Sequence, residues 1–299
     1  MSFASNVRSE LCRTPLTRHC CAVAESYGVL LYCTACTGKL IRIVTESRDF
    51  AARLPQLFRK AFGVSFDEQP TRPDQGGKLI FQITDGRKIA AIFEAFGLSA
   101  GESLGLHINL GVLEEDHCQV SFLRGAFLAG GSVTDPEKRY HLELATSHIM
   151  VNAEAYALLL ELDFSPKDTV RGGERILYFK QSTAIEDFLT LIGAPVCAMQ
   201  IMEAKVEKDL RNEVNRRVNC DTANLTKTVD AAQEQLTAIR ALQAAGRFEA
   251  LPERLRTTAE LRLQYPEATL AELAAMHTPP LTKSAVNHRL RKLQSAANG

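Results

Sequence analysis

No stretch of about 18 apolar residues occurs in the 299-residue chain, so no membrane-spanning helix is expected. Met1 to Arg18 lacks an apolar core followed by a small-residue cleavage site, so no secretory signal is expected there. Net charge is absent as well. The 35 Lys and Arg balance 35 Asp and Glu, and the chain taken whole gives no electrostatic sign of a nucleic-acid partner. The eight cysteines (Cys12, Cys20, Cys21, Cys33, Cys36, Cys118, Cys197 and Cys220) show no disulfide-scaffold pattern. They read as reduced, mostly buried thiols of a cytoplasmic protein. Cys33-x-x-Cys36 is metal-like, but no second Cys/His pair follows at finger spacing, so the pair reads as buried strand residues and no metal or cofactor is assigned. What remains is an ordinary globular composition, 45% hydrophobic and 23% charged, long enough for two domains.

The neutral total hides an asymmetry. Residues 1–204 carry 20 basic against 24 acidic side chains, a net of −4, and residues 205–299 carry 15 against 11, a net of +4. Lys283, Arg289, Arg291 and Lys292 fall in one short segment with no acid between them. A polyanion partner is therefore sought at the C-terminal end.

The first two-thirds of the chain uses one layout twice. In the first half a helix over Thr17–Tyr27 runs into Gly28 and is followed by strands at Val29–Cys33 and Leu40–Thr45. Ser47 caps a helix over Arg48–Phe62. Strands near Val64–Glu68 and Lys78–Thr84 flank a Pro/Asp/Gly-rich turn, and a helix over Gly86–Phe96 stops at Gly97. In the second half a helix over Gln119–Gly130 runs into Gly131. Strands follow at Ser132–Thr134 and Tyr140–Thr146, then a helix over Ile149–Leu162 and a strand pair around Gly172-Gly173 that includes Arg175–Lys180. A last helix opens on a capping box at Thr183-x-x-Glu186 and ends at Gly193. Each half reads α-β-β-α-β-β-α, with Gly28 and Gly131, 103 positions apart, ending equivalent helices. This is an internal duplication and too long for a solenoid repeat.

The string Phe122-Leu-Arg-Gly-Ala-Phe-Leu-Ala-Gly-Gly-Ser132 puts Gly125, Ala126, Ala129 and Gly130 on one helical face, where small residues permit close backbone approach. It resembles the signature helix of the LAGLIDADG homing endonucleases, a fold of two such halves packed through that helix. In that family the acid before the helix-terminal glycine binds the catalytic metal. The matching positions here are Gly130 and, with Gly28 as the terminal glycine, Tyr27, neither of them a carboxylate. Glu25 is displaced by two residues and faces elsewhere. A scaffold without catalytic residues is expected, since metal-assisted phosphodiester cleavage needs hard oxygen ligands.

Beyond Glu203 the sequence turns strongly charged. A polar helix is expected over Glu203–Val218, a turn over Asp221–Lys227, and a second helix over Thr228–Ala245 closed by Gly246. Pro252-Glu253 starts a helix running to about Gln264, and Thr269-Leu-Ala-Glu272 is a capping box opening a short helix over Leu270–Met276. After His277-Thr-Pro-Pro-Leu281, Thr282 caps a final helix over Lys283 to about Gln294. Val286, Leu290 and Leu293 form its inward stripe, and Ser284, Asn287, His288 and Arg291 share the opposite face. This is a helix-turn-helix, whose last helix enters the major groove of double-stranded DNA. Asn287 suits adenine; Lys283, Arg291 and Ser284 suit guanine or phosphate; His288 can donate or accept; Arg289 and Lys292 suit phosphates. With the capping Thr282, these are the candidate DNA-binding residues. The turn with Pro279-Pro280 is longer than that of the simplest motifs.

Five strings together resemble the WhiA family of bacterial sporulation and cell-division regulators: Phe122–Val133, Tyr140–Glu143, Arg211–Cys220, Thr222–Lys227 and Leu281–Leu293. The resemblance implies an α+β fold, a duplicated αββαββα LAGLIDADG-like pseudo-dimer followed by an all-α helix-turn-helix domain. The expected division is 1–105 and 106–204 for the two halves, 205–245 for linking helices and 246–299 for the DNA-binding domain, its motif at about 269–294. It implies a sequence-specific transcription factor, or a nucleoid-associated protein, without nuclease activity, acting in cell division, chromosome segregation or sporulation. The scaffold would bind further DNA, a ligand, or a protein such as another transcription factor or division protein. A DNA-bound platform without promoter regulation and a working endonuclease are the competing expectations.

Overall fold

A computed structural model describes residues 2–71, 77–98 and 105–298. The chain forms two compact units, 1–208 and 209–299. In the first, α1 (Phe3–Cys12) precedes α2 (His19–Leu31), β1 (Ala35–Cys36), β2 (Ile41–Thr45), α3 (Arg48–Phe62), β3 (Leu79–Ile83) and α4 (Gly86–Glu94). A 3-10 turn at Leu110–Leu113 leads into α5 (Asp116–Gly130), β4 (Gly131–Val133), β5 (Leu142–Thr146), α6 (Ile149–Glu161), β6 (Lys167–Arg171), β7 (Glu174–Phe179) and α7 (Ser182–Ile192). Helix α8 (Pro195–Ala244) begins in this unit and continues into the second, which adds α9 (Glu253–Gln264), α10 (Leu270–Ala275) and α11 (Lys283–Asn298).

The duplicated layout is present. The second half carries a complete antiparallel sheet of order β4-β5-β7-β6, and the first half a sheet of order β1-β2-β3. Among the described residues the expected strand at Val64–Glu68 is reduced to a single bridge, Glu68 to Gln82. Part of the expected turn after it lies outside the described residues. Alternation explains the strands: β2, β3 and β5 each bury every second residue, among them Ile41, Ile43, Leu79, Phe81, Leu142 and Leu144. Local signals hold where side chains supply caps. Ser47 accepts from the Phe50 N–H, Asp85 from Arg87 and Lys88, and Gly63 and Gly193 end α3 and α7 at φ 68° and 103°.

Three expectations give way. Val29–Leu31 are helical, because α2 continues past Gly28 and buries all of them. Gly28 is an interface residue and does not end its helix. Thr183 makes no capping box; α7 starts one residue earlier, with Gln181 at the N-cap and no side-chain cap. The turn expected over Asp221–Lys227 is helix, since α8 runs unbroken for 50 residues. Between Pro195 and Gly246 the sequence has no proline or glycine. Asn, Thr and Asp each cost only a few tenths of a kcal/mol in a helix, too little to break it. Its first turn is held from outside: the Glu10 carboxylate of α1 accepts the N–H groups of Val196 (2.8 Å) and Cys197 (2.9 Å).

The core of the first unit is the crossing of α2 and α5. A Cβ on Gly28 would lie 2.0 Å from the Phe122 carbonyl oxygen, and a Cβ on Gly125 would lie 2.0 Å from that of Glu25. The contact is reciprocal: the two glycines are 97 positions apart, as are Glu25 and Phe122. The register of the duplication is therefore 97, and Gly28 corresponds to Gly125, not Gly131. Tyr27, Phe122, Leu30, Leu123 and Phe127 pack around the crossing, all fully buried. Because the obstacle is backbone, Gly125→Ala has nowhere to go. It is expected to cost at least the roughly 1–3 kcal/mol typical of overpacking, read as a lower thermal midpoint by circular dichroism. An unchanged midpoint would contradict the close crossing.

Candidate functional sites: the central helix crossing and the exposed face of the last helix

The 97-residue register moves one of the inspected positions. If Gly130 stands where the nuclease acid would be, its counterpart is Cys33, and Tyr27 is a core residue. The Tyr27 ring stacks on Phe96 with centroids 4.1 Å apart, and its hydroxyl donates to the His107 carbonyl at 2.6 Å. Burial pushes its pKa up to about 12. Cys33 lies in the turn after α2, its thiol directed at the carbonyls of Leu30 and Ala35, both at 3.2 Å, and burial pushes it up to about 12. At Gly130 a Cβ would stand 2.5 Å from the Ala145 carbonyl and 3.0 Å from the Tyr32 ring. Space for a carboxylate at that position is already filled.

Glu25 is occupied elsewhere. With 1% of its surface exposed, it accepts two hydrogen bonds from Arg53, Nε at 2.6 Å and Nη2 at 2.8 Å, and one from Arg124 Nη1 at 3.4 Å. Arg53 also donates to the Cys12 and Thr14 carbonyls, and Arg124 to that of Ile192 at 2.7 Å. One carboxylate thus links both halves of the duplication through two buried guanidinium groups. Burial opposes the charge on both arginines; the hydrogen bonds to Glu25 outweigh it at Arg53 and do not at Arg124. Of Cys33 and Cys36, both expected as buried strand residues, only Cys36 is so; Cys33 is half-buried in the turn, and of the eight cysteines, expected mostly buried, Cys36, Cys118 and Cys197 are.

In the second unit α9, α10 and α11 enclose a separate core. Val286, Leu290 and Leu293 are buried against Leu255, Ala259, Leu273 and Ala274, together with Ile239 and Leu242 from the end of α8. The capping box at Thr269 is complete: Glu272 N–H donates to Thr269 Oγ1 at 3.3 Å, and Thr269 N–H donates to Glu272 Oε2 at 2.7 Å. The inter-helix turn closes through Leu281 N–H to the Ala274 carbonyl at 2.9 Å, and Thr282 caps α11 by accepting from Ala285 N–H at 3.2 Å. With the hydrophobic stripe inward, Thr282, Lys283, Ser284, His288, Arg291 and Lys292 are exposed and Asn287 is half-buried.

Arg289 is placed differently from its neighbours. Its Nη1 donates to the Arg254 carbonyl at 3.2 Å and to Thr258 Oγ1 at 3.4 Å, which fastens α11 to α9. Thr258 is fully buried, donates to the Arg254 carbonyl and lies 3.3 Å from His277 Nε2. Arg262, 2% exposed, closes the loop before α10 by donating to the Ala268 carbonyl at 2.6 Å. Sequence reasoning missed this framework, because a polar residue at one interior position of an otherwise polar helix leaves no periodic signal.

Two family models match the chain: the WhiA LAGLIDADG-like domain over residues 119–211 and the WhiA C-terminal HTH domain over residues 214–297. The chain is 38% identical to a probable cell division protein WhiA of Ruminiclostridium cellulolyticum, covering 99% of this chain and 97% of the relative. It is 37% identical to that of Heliobacterium modesticaldum, covering 99% and 96%. Among solved structures, full-length DUF199/WhiA from Thermatoga maritima superposes with a TM-score of 0.60 at 25% identity, covering 100% of this chain and 98% of that one. The N-terminal LAGLIDADG domain of DUF199/WhiA shares the fold, with a TM-score of 0.51 and 22% identity over 64% of this chain and 92% of that one.

Two outcomes follow from these sites. Glu25→Ala leaves Arg53 and Arg124 buried without their anion and should cost about 3–5 kcal/mol, measured by denaturant unfolding; a loss below ~1 kcal/mol would show the cluster to be dispensable. Burial, and then the charge of Arg289, pushes the His277 pKa below 6.5. The unfolded chain takes up this proton near pH 6.5 and the folded chain only at lower pH. The stability it contributes is full above about pH 6.5 and is lost as pH falls through the folded-state value. Protection of α10 and α11 amides, taken relative to their intrinsic exchange rates, should fall in that window, and His277→Gln should flatten the dependence.

Proposed function

The chain belongs to the WhiA family, and on that footing we propose that it is a sequence-specific DNA-binding regulator of cell division that has lost nuclease chemistry. The observation that carries the reading is the solvent face of α11. Over three turns it presents Lys283, Ser284, Asn287, His288, Arg291 and Lys292 with no acid among them. Asn287 offers the paired donor and acceptor that match adenine, Arg291 the fork that matches guanine, and Lys283 and Lys292 point charges for flanking phosphates. Thr282 serves as the cap, and its hydroxyl and the N-terminal amides of α11 suit a phosphate. Arg289 is a positioning residue in this reading, because its guanidinium braces α11 against α9.

Loss of cleavage rests on the two positions described above, a glycine with no room for a side chain and a thiol bonded to backbone carbonyls. Neither can supply the hard oxygen ligands that a magnesium-dependent centre requires. The relatives' shared description as probable cell division proteins supports a role in division, with chromosome segregation and sporulation as related processes. Association with the nucleoid follows from binding DNA.

Selection of bound fragments from a genomic DNA library, repeated over a salt series, tests this directly. The full-length protein should enrich one motif, with affinity falling as salt rises. Asn287→Ala combined with Arg291→Ala should lower affinity for that motif by about tenfold or more, while weak nonspecific binding persists, since each paired base contact is worth roughly 1–3 kcal/mol. An unchanged motif and affinity in the double variant would move DNA recognition away from α11. Magnesium-dependent nicking by the intact protein would overturn the loss of chemistry.

A further inference from the structure

The first turns of α2 and α5 lie side by side at one end of the glycine crossing. They bring together Cys20 and Cys21 from one helix and His117 and Cys118 from the other, with all four donor atoms within 4.8 Å of one another. His117 Nδ1 is 3.2 Å from Cys118 Sγ and 3.5 Å from Cys21 Sγ. The pairs are related by the same 97-residue register, Cys20 to His117 and Cys21 to Cys118. The duplication therefore places two ligands from each half near its own symmetry axis. No regular spacing links the four in sequence, so the cluster exists only because the helices cross where they do.

We propose that Cys20, Cys21, His117 and Cys118 form a structural zinc site that clamps the N-terminal ends of the two central helices. Tetrahedral zinc takes sulfur at about 2.3 Å and imidazole nitrogen at about 2.0–2.1 Å, so neighbouring ligand atoms stand roughly 3.5–3.8 Å apart. The two His117 distances are close to that separation without a change of backbone. Three sulfurs and one imidazole are a soft, four-membered donor set. This composition selects zinc over magnesium or calcium and leaves no open coordination position for catalysis. Both helices direct the positive ends of their peptide dipoles at the cluster, which suits the net negative charge of zinc held by three thiolates. Exposure grades from Cys118, which is buried, through the half-buried Cys21 and His117 to the exposed Cys20, which gives an ion a route in. The clamp would cross-link segments nearly one hundred positions apart, where loop closure is most expensive for the unfolded chain.

The site is tested on the full chain, purified without a histidine tag, under reducing conditions and without chelator. Elemental analysis should find about one zinc per chain, and cobalt(II) exchanged for it should show the intense visible bands of tetrahedral thiolate ligation. Stripping with a chelator should lower the thermal midpoint, and added zinc should restore it. Cys20→Ser removes the exposed ligand with little risk to folding and should weaken zinc retention at least about tenfold. Cys118→Ser should abolish it, and Cys33→Ser with Cys36→Ser should leave it intact. The proposal falls if the reduced protein takes up no zinc when zinc is supplied, or if Cys20→Ser and Cys118→Ser hold it as tightly as the parent. It also falls if mass spectrometry shows a disulfide among Cys20, Cys21 and Cys118 in protein isolated from the cell.

Discussion

The backbone-to-backbone crossing of α2 and α5 is the constraint on which the first unit depends. Two glycines, Gly28 and Gly125, each leave the space where the other helix's carbonyl oxygen sits. Once the helices are that close, the flanking Tyr27, Leu30, Phe122 and Phe127 are committed to a single packing arrangement. Strands β1 and β4 then both follow from the C-terminal ends of this pair, where Gly130 lies against Tyr32. Reciprocity of the contact also fixes which residues correspond, and so decides which positions are compared when catalytic groups are sought.

The same closeness accounts for the buried charges. Glu25 is on α2 and Arg124 on α5, next to the two residues whose backbones touch, while Arg53 reaches in from α3. Removed from water, the carboxylate is compensated by three hydrogen bonds from two guanidinium groups, which in turn satisfy carbonyls of the Cys12–Thr14 turn and of the end of α7. A carboxylate buried this deeply and shared by two guanidinium groups is committed to the ion-pair cluster. Glu25 serves the architecture of the crossing.

The second unit is built by a different logic. A short apolar stripe on α11 meets α9, α10 and the end of α8, and the opposite face is left wholly polar. Because the stripe is narrow, its orientation is secured by polar devices: the Thr269 capping box, the Thr282 cap and the Arg289–Thr258–His277 contacts. These set which residues of α11 face outward. Long α8 contributes Ile239 and Leu242 to this core, while Val206, Leu210, Val214, Val218, Leu225 and Val229 along its middle remain exposed.

Local chemistry made much of this legible in the sequence. Strand-like runs at Leu40–Thr45, Lys78–Thr84 and Tyr140–Thr146 announced β2, β3 and β5; Ser47, Thr269 and Thr282 announced helix starts; Val286, Leu290 and Leu293 announced the inner face of α11 and with it the solvent face. Each of these signals lies within a few residues, and sequence records such spacing directly. Long-range partners leave no such trace. Gly28 looked like a helix end because glycine commonly is one, and only the approach of Phe122 showed it to be a point of contact. The central turn of α8 was expected from Asp, Thr and Asn, whose individual costs are too small to break a helix uninterrupted by proline or glycine. Arg289 suited a phosphate by its place in the sequence, and only the approach of α9 gave it the Arg254 carbonyl and Thr258 as partners; Cys20 and Cys21 acquired His117 and Cys118 as neighbours only when two helices crossed. The sequence by itself determined most of the helices and strands and which faces are apolar, because those depend chiefly on the nearest residues along the chain. Tertiary structure alone decided the register of the duplication, the fate of its acids and the grouping of its thiols, because each depends on backbones meeting across nearly one hundred positions.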